Sequence, residues 1–301
     1  MRWEGGRESQ NVEDRRGRGG GGIGGMPGIR VGGGGIGIGT IVIAMLIAWL
    51  LGVNPLALLG LAEEGGPAVQ QPQQRAPQSP SGAPGGQADS GRAFVSVVLG
   101  STEDVWSRIF QQSGSRYAAP KLVLYERATR TGCGVGQAAA GPFYCPADQT
   151  VYIDLSFYRT LRDKLGAPGD TAEAYVIAHE VGHHIQYLTG TMQKMEAARQ
   201  RISEAQYNEL SVRLELQADC YAGIWVHHSQ QARQWFDQGD IEEALNAAAA
   251  VGDDNIQRRT QGMVVPESFT HGSSQQRARW FRIGAQSGAV SQCDTFSARS
   301  L

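Results

Sequence analysis

The pattern of apolar and polar positions divides the chain into four stretches. Residues 1–35 hold few apolar side chains; Arg2, Arg7, Arg15, Arg16, Arg18 and Arg30 mix with Glu4, Glu8, Glu13 and Asp14 in a glycine-rich background. So little apolar surface does not offset the entropy of ordering the backbone, and the composition predicts a disordered tail. Residues 36–61, IGIGTIVIAMLIAWLLGVNPLALLGL, carry no charge. About 20 such residues suffice for a helix to cross a bilayer, so this stretch predicts one uncleaved N-terminal transmembrane anchor. Arginines precede it and Glu63 and Glu64 follow it, which predicts a cytoplasmic N-terminus and an extracytoplasmic remainder. Residues 62–92 place Pro67, Pro72, Pro77, Pro80 and Pro84 among Gln, Gly, Ser and Ala, the composition of an extended linker.

Residues 93–301 read as one domain of ordinary size. Helical spacing dominates it, and the expected class is α+β, predominantly helical. Ser101 or Thr102 is expected to cap a helix reaching about Ser113. Leu122–Tyr125 and Thr150–Leu155, rich in β-branched and aromatic residues, predict short strands. A helix over Ser156–Leu165 closes at Gly166. Asp170-x-x-Glu173 opens a helix from about Thr171 to Leu188, with Gly190 beyond its end. Ser203-x-x-Gln206 opens another to about His228, and Asp240-x-x-Glu243 and Ser273-x-x-Gln276 open two more. The strand Thr150–Asp154, just ahead of the 171–188 helix, is a candidate edge for an extended peptide.

Composition narrows the function. Across 301 residues the net charge is −2, which argues against a nucleic-acid-binding body. The 41 glycines show no Gly-X-Y period, excluding collagen. Four cysteines allow two bridges, in one of three pairings. Cys133 with Cys145 would close a Gly/Ala loop, and Cys220 with Cys293 would tie the C-terminal tail to a central helix. Bridges of this kind belong to an oxidising compartment.

The chemistry concentrates in Ala178-His179-Glu180-Val181-Gly182-His183-His184. His179 and His183, four apart on a helix, project from one face, and two imidazoles so placed can bind one tetrahedral Zn²⁺. Glu180 lies about 100° around the same helix, placed to take a proton rather than to bind metal. Downstream, Glu215 and Asp219 are also four apart on a largely apolar helix. Glu215 is the expected third ligand, with Asp219 the alternative. Asp219 is expected to accept the spare ring N–H of a zinc-bound histidine. His271, or Arg277 or Arg279 beyond it, is a candidate donor to a developing oxyanion. His184 reads as packing or support, and His227 and His228 as residues at the end of their own helix, where a positive ring suits the dipole.

These motifs resemble two groups. HEVGHH followed by ELQAD looks like the gluzincin zinc peptidases. More closely, CGVGQAAAGPFYCPADQTVYID, YVIAHEVGHHIQYLTG, SVRLELQADCYAG, SFTHGSSQQRARWF and CDTF are similar to the neutral zinc metallopeptidase family of bacterial envelope proteins. The resemblance spans most of residues 93–301 and implies a zincin-like domain with one Zn²⁺ per chain. It implies hydrolysis of protein or peptide substrates by a zinc-activated water with Glu180 as general base, in the periplasm or at the cell surface. The glycine-rich N-terminus looks peculiar to this chain. The alternative is a catalytically silent envelope scaffold with structural zinc; Glu180 argues against it, because a purely structural site has no use for a base.

Overall fold

The computed structural model describes residues 1–17, 90–138 and 141–301. The anchor expected over 36–61 lies outside these residues, as does the linker up to residue 89. The described part is α+β and predominantly helical, as the spacing predicts.

Strand β1 (Val12–Asp14) precedes helix α1 (Ser90–Gln112). Then come β2 (Lys121–Tyr125), the hairpin β3 (Ala128–Thr131) and β4 (Gly134–Gln137), β5 (Phe143–Cys145), β6 (Thr150–Asp154) and α2 (Ser156–Asp163). The helical half follows: α3 (Asp170–Leu188), α4 (Thr191–Arg199), α5 (Glu204–Arg233), α6 (Asp240–Ala250), α7 (Asp253–Gln261) and α8 (Ser274–Ser287). The capping boxes expected at Ser203 and Ser273 both form. Those expected at Asp170 and Asp240 do not: both helices begin at the aspartate, behind Gly169 and Gly239. The first long helix also begins earlier than expected. Ser101 and Thr102 lie inside α1, because the apolar run Phe94–Leu99 continues its buried face upstream; Thr102 bonds back to the Leu99 carbonyl.

The main sheet has the order β1-β2-β6-β5, with β1, β2 and β6 parallel and β5 antiparallel to β6. β2 and β6 are buried on both faces, which suits their nearly unbroken apolar sequences. One face (Leu122, Leu124, Val151, Ile153) joins the main core with the helices. The other (Val123, Tyr125, Tyr152) forms a smaller core with Cys145, Phe143 and Ala138. The strand expected at a substrate edge, 150–154, is therefore interior, and β5 is the edge on that side. Both disulfides form, Cys133–Cys145 and Cys220–Cys293. The 133–145 segment, expected to lack secondary structure, contains β4 and β5.

Residues 1–17, expected to be disordered, are part of the body. The Met1 ammonium lies 2.8 Å from Asp170 and 3.3 Å from Asp240. Arg2 pairs with Asp237. Buried Glu103 accepts hydrogen bonds from Arg7, Ser9 and Asn11, and β1 pairs with β2 from Val12↔Leu122 to Asp14↔Leu124. This corrects the expected topology. Residues 1–17 pack against the described residues from 90 onward as one unit, so a single span between them cannot hold one in the cytoplasm and the other outside. Among the described residues, no helix is long and apolar enough to cross a membrane.

Candidate metal centre

Helices α3 and α5 cross in contact where Gly182 meets Ala218. A Cβ at position 182 would stand 2.9 Å from the Ala218 carbonyl oxygen and 3.1 Å from its Cα, so only glycine allows this approach. The contact sits between the histidines of α3 and the acids of α5. It brings His179 Nε2 to 3.2 Å from Glu215 Oε2 and His183 Nε2 to 3.5 Å from Glu215 Oε1. One ligand atom from each of His179, His183 and Glu215 lies within 4.8 Å of the others.

The electrostatics of this cluster favour a cation. Burial works against charge on His179, but Asp219 and Glu215 outweigh it and raise the ring to about 9. Burial likewise opposes the Glu215 carboxylate, yet His183 and His271 hold it well below the ordinary range. Two imidazole nitrogens and a carboxylate oxygen form a donor set suited to zinc. Glu180 is buried and makes no side-chain hydrogen bond among the described residues. Burial raises its pKa against the opposing pull of His183 and His179.

Behind this cluster, both rings are oriented through Nδ1. His179 Nδ1 lies 2.8 Å from Asp219 Oδ1. The same oxygen accepts from the Tyr175 hydroxyl at 2.5 Å, and Arg277 donates to Asp219 through Nε at 2.8 Å and Nη2 at 2.9 Å. Burial costs the Asp219 carboxylate, but Arg277 and His179 hold its pKa down. Arg277 is thus buried under the first histidine with its donors engaged, rather than facing an oxyanion. Arg279 reaches the C-terminal residues Ser300 and Leu301 instead. His183 Nδ1 lies 2.9 Å from Gln186 Oε1.

His271 comes to the centre from the segment before α8. Asp253 Oδ2 accepts the backbone N–H groups of Thr270, His271 and Gly272 at 2.8, 2.6 and 3.0 Å. Burial lowers the His271 pKa, but the charges of Glu215 and Asp253 more than reverse this. The other histidines lie elsewhere. His184 donates from Nε2 to the Ala118 carbonyl and accepts at Nδ1 from Tyr144. His227 and His228 are interior to α5 and bond to the carbonyls of Ala285 and Gly288, at the end of α8 rather than of their own helix.

Tyr175, Gln186, Asp253 and the buried role of Arg277 were not read from the sequence. Gln186, three residues after His183, had a positional signal. Asp253 had none, because its partners lie 17 to 19 residues away.

Residues 1–296 match the family described as "Putative neutral zinc metallopeptidase". The chain belongs to this family. It is 52% identical over 296 residues to the uncharacterized protein YpfJ of Escherichia coli (strain K12), covering 98% of this chain and 99% of that one. It is 40% identical over 224 residues to the uncharacterized protein Rv2575 of Mycobacterium tuberculosis (strain ATCC 25618 / H37Rv), covering 71% and 74%. No solved structure matches. The metallopeptidase match begins at residue 1, so the N-terminus expected to be peculiar to this chain falls within the family's extent.

Proposed function

We propose that the protein is a zinc-dependent peptidase with a zincin-like fold, holding one Zn²⁺ through His179 Nε2, His183 Nε2 and Glu215. The observation that carries this reading is the convergence of three donor side chains beside a buried carboxyl that is not one of them. Zinc bound there would supply a Lewis acid for the scissile carbonyl and a water of lowered pKa.

Glu180 supplies the proton traffic. One of its carboxylate oxygens takes a proton from the attacking water, and the same proton passes to the departing amine nitrogen as the C–N bond breaks. Burial makes Glu180 a better acceptor than a solvated glutamate. Asp253 accepts at the Nδ1 of His271, and the charges of Glu215 and Asp253 favour the doubly protonated ring, the form whose Nε2–H can donate to the carbonyl oxygen as that atom gains charge. Tyr175 and Arg277 fix Asp219, and Asp219 fixes the ring of His179.

A structural zinc site closes with four protein ligands. Among the described residues this group has three, which favours catalysis over a scaffold. The test is hydrolysis of a quenched-fluorescence peptide library by zinc-loaded protein. Wild type is expected to cleave; Glu180→Gln should keep its zinc and lose activity; chelation should abolish activity reversibly. A zinc-loaded wild type that cleaves nothing, or a Glu180→Gln variant as fast as wild type, overturns the reading.

A further inference from the structure

Gln186 joins the second and third ligands. Its amide orientation is set by chemistry: Nε2 donates to the Leu214 carbonyl at 2.6 Å, and that oxygen can only accept. Oε1 must therefore face His183 Nδ1 at 2.9 Å, and Nδ1 must carry the proton. This leaves the lone pair of His183 on Nε2, toward Glu215. The partner carbonyl belongs to Leu214, next to Glu215, so one amide holds both the ring of one ligand and the backbone of another.

The chain of bonds continues outward. Gln186 Nε2 also lies 3.2 Å from Gln217 Oε1, and Gln217 Nε2 donates to the Cys293 carbonyl at 3.0 Å. That second carbonyl fixes the amide of Gln217 as Leu214 fixes that of Gln186. Cys293 is held against α5 by its bond to Cys220, and both cysteines are buried, as are Gln186 and Gln217. Arg213 and Thr295 add bonds between α5 and the same tail. The two histidines are thus supported differently: His179 by a carboxylate, His183 by neutral amides anchored at a disulfide.

We propose that Gln186 and Gln217 are positioning residues that couple the Cys220–Cys293 disulfide to the tautomer and orientation of His183, so that metal affinity depends on that bond. The coupling rests on the metal-centre reading for its functional meaning, but not for its existence. An amide without its carbonyl anchor can rotate and present Nε2 to His183, where it cannot accept the Nδ1 proton.

Two readouts test this. The first is ¹⁵N NMR of His183 in metal-free protein. The wild type is expected as the Nδ1–H form, and Gln186→Leu is expected to lose that form. The second is zinc affinity by chelator competition, with melting temperature recorded alongside. Gln186→Leu should bind zinc about 10–100-fold more weakly, and Gln186→Glu, which keeps the acceptor for His183 but loses the donor to Leu214 and Gln217, should fall between Gln186→Leu and wild type. Gln217→Leu and the paired change Cys220→Ala with Cys293→Ala should weaken binding several-fold. Cys133→Ala with Cys145→Ala, which removes the other disulfide, should not. Unchanged affinity and tautomer in Gln186→Leu, or equal losses from the two disulfides, overturn the coupling. A wild type that binds no zinc would overturn the peptidase reading, and the tautomer measurement would still decide the coupling.

Discussion

Asp253 Oδ2 lies 2.6 Å from the backbone nitrogen of His271, and Asp253 Oδ1 lies 3.3 Å from the same residue's ring Nδ1. One carboxylate thus sets where the histidine's backbone sits and, together with Glu215, favours the charged ring, which carries a proton on both nitrogens. Asp253→Ala removes both controls. We expect peptide turnover to fall by about 10–100-fold and stability by about 1–3 kcal/mol, from backbone N–H groups left without acceptors. His271→Ala should cost more turnover, about 10²–10³-fold, with zinc content unchanged. Steady-state kinetics, metal analysis and a thermal melt of each variant check this.

Gly182→Ala should be disproportionately harmful for a one-methyl change. The added carbon would meet backbone atoms of Ala218, so the helices themselves must separate. We expect about 1–3 kcal/mol of destabilisation and weaker zinc binding, because separation carries Glu215 away from both imidazoles.

Arg277→Met leaves Asp219 buried with His179 and Tyr175 but without its guanidinium. Breaking a buried pair on one side costs about 3–5 kcal/mol. Denaturant unfolding should show a loss of that order, and the double change Arg277→Met with Asp219→Leu should recover part of it.

Glu173 provides a pH test remote from the ligands. Burial, reinforced by the charge of Asp170, raises its pKa to about 7 against the weaker pull of Arg162; Tyr158 is its other titratable neighbour. A carboxyl raised on folding binds more protons in the folded state than in the unfolded state between its ordinary pKa and about 7. Its contribution is therefore lost as pH rises through that window. Glu173→Gln should melt higher than wild type at pH 8 and show a flatter profile between pH 5 and 8.

The sequence carried the centre well and the N-terminus poorly, for physical reasons. His179, Glu180, His183, Glu215 and Asp219 were legible because helix geometry converts i, i+4 spacing into a shared face. Residues contributed from elsewhere, such as Asp253 and Gln217, meet the centre only through tertiary packing. Residues 1–17 were misread because they are not held chiefly by apolar burial. They dock through Glu103, Asp170 and Asp237 and by extending an existing sheet, features that a composition rule does not register. Strand β5, three residues long, is too short to show alternation, and its presence moved the free edge away from 150–154.

The parallel pairing of Val12 with Leu122 also constrains the order of assembly. Strand β1 leaves the ribosome first but has nothing to pair with until β2 appears about 110 residues later. At about 5–20 residues per second, that is a wait of roughly 6–22 s with the N-terminal segment unattached. Glu103 and the edge of β2 must then capture an arm already made, so the sheet closes backwards onto the start of the chain.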